Sequence, residues 1–146
     1  MHIYIASDHA GFELKEDLKV FLVGLGYTIE DFGNIRLEPE DDYPDFIRQA
    51  AEAVSKNPKA RGIVLGGSGV GEAIVANRYR HVRAVAWYGK NDKVLTLSRE
   101  HNDANMLSIG ARFVTPEEAK RGVKLWLDAK FSGDFRHERR IDKIDS

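Results

Sequence analysis

A single α/β domain carrying a five-stranded parallel sheet is predicted by two features of this chain. Five short β-rich runs are each separated from the next by a helix-compatible stretch, the alternation that successive βαβ units require. One of those runs passes through a glycine-rich turn straight into a helix, over Arg61–Asn77, RGIVLGGSGVGEAIVAN. The 146 residues suit one domain spanning 1–146, long enough to bury roughly two-thirds of its unfolded surface without disulfides or metal.

The strand candidates are His2–Ala6, Tyr27–Phe32, Gly62–Leu65, Val82–Trp87 and Met106–Ile109. After the first, Leu14, Leu18, Phe21 and Leu25 recur at i, i+4, i+7 and i+11, one apolar stripe facing a sheet, with Lys15, Glu16 and Lys19 off it. Gly24 and Gly26 mark the end of that helix. Tyr43-Pro44 precedes a second helix reaching about Ser55, and the glycine turn opens another. Thr115 reads as an N-cap with Pro116 at the first helical position and Glu117 and Glu118 in the first turn of a helix to about Lys130. From about residue 131 a charged tail follows, a last helix or a frayed end.

Lysine and arginine total 22 against 23 for aspartate and glutamate, so no global field draws the chain to nucleic acid or an anionic membrane, and any anion site must be local. With no cysteine, a thiolate nucleophile, a disulfide framework and a cysteine metal knuckle are all ruled out. The opening MHIYIAS lacks the charged region of a secretory signal, and no apolar run approaches ~18 residues. A cytoplasmic protein is the expectation.

The glycine turn carries the strongest local signal. Gly66, Gly67, Gly69 and Gly71 let the backbone adopt unusual angles or approach a ligand closely, and successive N–H groups can then face one anion. Ser68 adds a hydroxyl, and Glu72 sets a carboxylate on the first helical turn, where a base could meet whatever the amides hold. No lysine follows the glycines as in a P-loop, and Gly67, Gly69 and Gly71 do not give the dinucleotide spacing. On these residues alone a second reading stands beside the cradle: glycines that only let strand and helix pack closely, with Glu72 favoured by the helix dipole.

Ligands of open parallel sheets bind beyond the carboxyl ends of strands, where the strand order reverses. Ser7-Asp8-His9 and the glycine turn follow strands one and three directly; His101-Asn102-Asp103, less directly, precedes strand five. Convergence of the three is a topological expectation.

Six dispersed segments carry a resemblance that covers nearly the whole chain in order: SDHAGFELK at Ser7–Lys15, DYPDF at Asp42–Phe46, GGSGVGEAIVANR at Gly66–Arg78, SREHNDAN at Ser98–Asn105, GAR at Gly110–Arg112 and FRHERR at Phe135–Arg140. Together they resemble the ribose-5-phosphate isomerase B family, which also includes the galactose-6-phosphate isomerase subunits. The resemblance implies a Rossmann-like, three-layer fold and a metal-independent aldose–ketose isomerase with no cofactor. It also implies a homodimer or homotetramer whose active sites draw on two subunits.

Carried over residue by residue, Asp8 and His9 match a pair that contacts substrate hydroxyls and phosphate, and Gly67, Ser68, Gly69, Val70 and Gly71 match the loop that holds an enediolate intermediate. Ser68 stands where a hydroxyl assists proton movement. His101 matches the ring-opening histidine, Asn102 its sugar-binding neighbour, and Arg112, Arg136 and Arg140 the phosphate-binding arginines. Without the resemblance, Arg136–Arg140 reads as a solvated patch and His101 as a packed or surface residue. One departure matters: many members carry a catalytic cysteine at the position of Gly66, whereas a subset pairs glycine there with a glutamate after the loop, and Glu72 fits that subset.

The implied reaction interconverts ribose 5-phosphate and ribulose 5-phosphate through an enediolate, with Glu72 as base. Burial would raise the Glu72 pKa, whereas the helix N-terminus and nearby arginines would lower it. The alternatives are an isomerase of a hexose 6-phosphate such as allose or galactose 6-phosphate, a non-catalytic sugar-phosphate sensor, and a flavodoxin-like nucleotide binder. A metal site from His9, His101 and Asp103 is permitted by residue type but not supported by close spacing. Tyr43, Trp87 and Tyr88 stand as either pocket walls or core.

Overall fold

The computed structural model describes residues 1–146. Five strands alternate with helices: β1 (His2–Ser7), α1 (Phe12–Gly24), β2 (Thr28–Asp31), α2 (Tyr43–Lys56), β3 (Arg61–Gly66), α3 (Val70–Ala76), β4 (Ala84–Trp87), α4 (Lys93–Asn102), β5 (Met106–Gly110), α5 (Pro116–Asp128) and α6 (Phe135–Asp145). A single 3₁₀ turn, His9–Gly11, joins β1 to α1. The strands form one sheet in the order β2-β1-β3-β5-β4, every pair parallel. The chain leaves β1 toward one edge and returns on its other side through β3, so the order reverses between the carboxyl ends of β1 and β3.

Alternation along each strand divides the core between two faces. Ile3, Ile5, Ile63, Leu65, Leu107 and Ile109 pack against α1, α4 and α5 through Leu14, Leu18, Leu22, Leu95, Val123 and Trp126. Ala6, Val64 and Met106 meet α2 and α3 through Ile47, Ala50, Ala51, Val54 and Ala76. The result is a three-layer sandwich of helices, sheet and helices. Trp87 belongs to the first of these cores.

Two local expectations are corrected. On α1 the inward stripe is Leu14, Leu18 and Leu22, with Phe21 at its margin and Leu25 exposed. Lys15, expected off that stripe, is completely buried. Its ammonium donates to both Asp31 oxygens (2.8 and 2.6 Å) and to the Asn34 carbonyl (2.7 Å), so all three of its protons have acceptors and the charge has a counter-ion. Burial alone would raise the Asp31 carboxyl, but Lys15, Lys19 and the Gly33 amide outweigh it and hold Asp31 below its ordinary value.

Strand β4 starts two residues later than expected, because Val82 N–H closes a turn onto Tyr79 and Arg83 N–H is taken by the Asn105 side chain. The Asn77 amide then seals the start of this edge strand, donating to the Ala84 carbonyl (2.9 Å) and accepting from its N–H (2.8 Å). The charged tail is helical: Asp134 caps α6 by accepting from Arg136 N–H, and His137 is the residue α6 buries.

Candidate active site

A cleft of about 520 Å³ opens at the switch between β1 and β3. Asp8, His9 and Ala10 form one wall, Gly67, Ser68, Gly71 and Glu72 another, and Tyr43, Arg112 and Phe113 close the rim. Two of the three polar clusters expected to converge therefore do so within one chain, joined by Arg112 from the end of β5.

The glycine turn shapes the centre of the cleft. Gly69, at φ 79°, turns the chain from β3 into α3 and sits so close to Ile109 and Gly110 that a side chain would meet their backbone. The Ser68 hydroxyl accepts from Val70 N–H (3.2 Å), which tightens the turn. Glu72 projects from the first turn of α3 and is only 3 % exposed. Its carboxylate occupies the space a side chain on residue 66 would fill: a Cβ built there would overlap both carboxylate oxygens. One of those oxygens, Oε2, is buried without a hydrogen-bond partner.

Such a carboxylate resists ionisation. Burial pushes the Glu72 pKa above its ordinary value and the Asp8 charge pushes the same way, together outweighing the backbone amides of Glu72 and Gly69. Of the opposing influences read from the sequence, desolvation wins. A buried, partly starved carboxylate with a raised pKa beside a glycine cradle is suited to taking a proton from carbon and returning it.

Asp8 caps the 3₁₀ turn, its Oδ1 accepting from Ala10 N–H (3.0 Å) and Gly11 N–H (3.3 Å). His9 is held by Asp41, a residue that sequence reasoning did not single out; a doubled acid in a loop carries no local signal of its own. Asp8, His9 and Asp41 bring potential cation ligands within 4.8 Å of one another. The 2.7 Å contact between His9 Nδ1 and Asp41 is, however, a hydrogen bond that already occupies that nitrogen.

The other predicted residues lie elsewhere. His101 and Asn102 end α4 just before β5 starts, at the amino ends of the strands, so the length of the sheet, about 15 Å, separates them from Glu72. His101 stacks on His137 of α6 with ring centroids 4.2 Å apart. Burial, then His101, Arg136 and Arg140, hold the His137 pKa below its ordinary value. Arg136 and Arg140 are exposed on α6. Asn102 opens instead onto a larger hollow of about 770 Å³, bounded by Arg78, Arg80, His81, Arg83 and Asp145. His9 thus cannot share a metal with His101 and Asp103 in one chain. Of the aromatic candidates, Tyr43 walls the cleft, while Tyr88 is exposed and pairs with Phe113 at 5.7 Å.

The His101 turn is rigidly built. Arg99, 5 % exposed, donates to Asp103 Oδ1 (2.7 Å), the Ala104 carbonyl (2.6 Å) and the Ala129 carbonyl (3.3 Å). Arg83 binds the Asn102 and Asp103 carbonyls from the other side.

The chain is similar to known proteins over nearly its whole length. The ribose/galactose isomerase family matches residues 3–144. Ribose-5-phosphate isomerase B of Mycolicibacterium paratuberculosis is 42% identical over 143 residues, 97% of this chain and 88% of that protein. The Escherichia coli enzyme of the same name is 39% identical over 142 residues, 97% of this chain and 93% of that protein. Among solved structures, the Thermotoga maritima ribose 5-phosphate isomerase superposes with a TM-score of 0.90 at 43% identity, over 99% of this chain and 97% of the other. The Mycoplasma genitalium ribose-5-phosphate isomerase B, solved with bound ribulose-5-phosphate, gives 0.92 at 40% identity over 98% and 93%. A reversing parallel sheet, a glycine cradle with a buried carboxylate at its switch point, and a match from end to end make this chain a member of the ribose/galactose isomerase family.

Proposed function

We propose that this chain interconverts ribose 5-phosphate and ribulose 5-phosphate as a metal-independent aldose–ketose isomerase. The observation that carries the proposal is the Glu72 carboxylate, desolvated and seated where residue 66 has no side chain, in the wall of a cleft lined by the glycine turn. The bound ribulose-5-phosphate of the Mycoplasma genitalium relative supports the choice of sugar.

Phosphate binding by His9, Arg112, Arg136 and Arg140 fixes the sugar chain and orients its reacting carbons. His101 and Asn102 assist opening of the ring. Glu72 removes the C2 proton, the amides of Gly67–Gly71 stabilise the negative charge that develops on oxygen, and Ser68 assists proton movement between oxygens. The proton on Glu72 is delivered to C1, which leaves the ketose and the starting carboxylate. The raised pKa of Glu72 brings the base nearer the working pH, where abstraction and return are balanced.

The site is completed by a second copy. His101, Asn102, Arg136 and Arg140 stand at the amino end of the sheet and Glu72 at the carboxyl end, so an antiparallel pairing of two chains brings one set to the other. The homodimer or homotetramer acts in the cytoplasm, each chain contributing residues 1–146 as one catalytic domain.

The test is ribulose 5-phosphate formation from ribose 5-phosphate with EDTA present and allose 6-phosphate in parallel. Turnover of the pentose despite EDTA is expected. Turnover of the hexose alone would change the substrate, and turnover of neither would favour the sensor. Mixing inactive Glu72→Gln and His101→Ala chains tests the shared site, because a mixed dimer regains one intact site; no regained activity would place both residues in one chain's site.

A further inference from the structure

We propose that Asp41 is a positioning residue of the cleft: its carboxylate grips His9 by the ring Nδ1 and the backbone N–H, so that Nε2 is the nitrogen presented to the sugar phosphate. The inference rests on the function proposed above and adds a residue to its site. Asp41 Oδ1 lies 2.7 Å from His9 Nδ1 and accepts from His9 N–H at 3.1 Å. Asp41 Oδ2 accepts from the Asn34 side-chain amide at 3.1 Å.

The grip is itself anchored. Asn34 N–H donates to the Ser7 carbonyl (2.6 Å) at the end of β1, and the Asn34 carbonyl receives the buried Lys15 ammonium (2.7 Å). The side chain of Asp41 is 5 % exposed, although it comes from the loop between β2 and α2. A merely solvated loop acid would show none of these bonds.

Proton placement follows from charge. Burial would raise the Asp41 carboxyl, but the His9 ring, the Asn34 amide and the His9 N–H together hold it below its ordinary value. An ionised carboxylate has no proton to give, so the hydrogen between the two groups sits on Nδ1. Whether neutral or protonated, the ring then offers Nε2 to the cleft, as an acceptor in one state and a donor in the other. The other carboxylate near the ring, Asp8, caps Ala10 and Gly11 through Oδ1, and its Oδ2 lies 4.0 Å from Nδ1, beyond hydrogen-bond reach, so Asp41 is the group that holds this nitrogen.

The experiment compares Asp41→Ala and Asp41→Asn with wild type in the full chain, by ¹⁵N ring spectra and by kinetics, with the His9 signal assigned through His9→Gln. In the neutral wild-type ring the hydrogen should be on Nδ1. In Asp41→Ala the neutral ring should shift toward the Nε2–H tautomer and lose the anchor that aims it into the cleft, and this lost aim should raise KM for ribose 5-phosphate about tenfold with a smaller change in kcat. Asp41→Asn keeps an oxygen that can face Nδ1–H and should recover part of both effects. A wild-type tautomer persisting in both variants would overturn the assignment, as would an unchanged KM where His9→Gln raises it. The spectra decide the His9–Asp41 pair even if wild type turns over no pentose phosphate, the result that would defeat the functional reading instead.

Discussion

Adding one methyl group at residue 66 tests the placement of Glu72 more sharply than removing the carboxylate does. In Gly66→Ala the new Cβ would overlap both Glu72 oxygens, and strand β3 cannot retreat because residue 66 is paired in the sheet with Gly110. The glutamate must therefore leave its position. The atoms met are the far end of a flexible side chain, so the cost sits at the low end of overpacking, about 1 kcal/mol, which for a chain of this size lowers Tm by roughly 2–4 °C. Moving a base by even ~1 Å reduces turnover about 10²-fold. The assay is kcat for ribulose 5-phosphate formation beside thermal unfolding, for Gly66→Ala, Glu72→Ala and the double variant. Removing the carboxylate relieves the overlap, so the double variant should regain much of the stability lost by Gly66→Ala without regaining activity. Full activity in Gly66→Ala, or a double variant whose destabilisation is the sum of the two single ones, would refute the shared volume.

Four further outcomes follow from the structure. Glu72→Gln should lower kcat by ~10²–10⁴-fold while sugar phosphate still binds, as isothermal titration would read. Because the folded state raises the Glu72 pKa above its ordinary 4.5, wild-type stability relative to Glu72→Gln should be greatest below that value. It should then fall as pH rises toward the folded pKa, and urea unfolding at several pH values would expose the opposite slope. Lys15→Met removes one of the two lysines on the half-buried Asp31, which keeps Lys19 and the Gly33 amide, and should cost about 1–3 kcal/mol, whereas an unchanged denaturant midpoint would mean that the pair adds nothing. Arg136→Ala and Arg140→Ala should each weaken a phosphorylated pentose about tenfold or more but spare the unphosphorylated sugar, and equal losses for both ligands would contradict phosphate binding.

Much of this molecule was legible because strands and helices impose their own periods on apolar residues. The five strands and the helix after β1 came from that pattern, Thr115 and Pro116 marked the start of the helix after β5, and the glycine turn marked the junction of β3 and α3. Lys15 was not legible: a lysine signals solvent, and the Asp31 that reconciles it with the core is sixteen residues away, brought near only by tertiary packing. Asp41 escaped for the same reason, since its meaning lies in His9, thirty-two residues earlier. Glu72 could be placed on a first helical turn, but its occupation of the residue 66 volume is a relation between two backbones. His101 shows a different limit: residues that precede a strand lie at its amino end, so the expected convergence of three polar clusters held for two of them and the third lies at the opposite end of the sheet.

The shared volume at positions 66 and 72 also constrains how this lineage can change. The resemblance places a thiol at one position in many members and a carboxylate at the other in a subset. A chain carrying Gly66 and Glu72 can approach the thiol type by two first steps. Cysteine introduced at 66 meets a carboxylate already there, and loss of the glutamate first removes the proposed base before a thiol can replace it. Both intermediates are handicapped, so the two solutions face each other across a valley in sequence space although both draw on the same small volume. On this side of the valley the proposed base is a group that peroxide does not oxidise and that alkylating reagents for thiols do not modify.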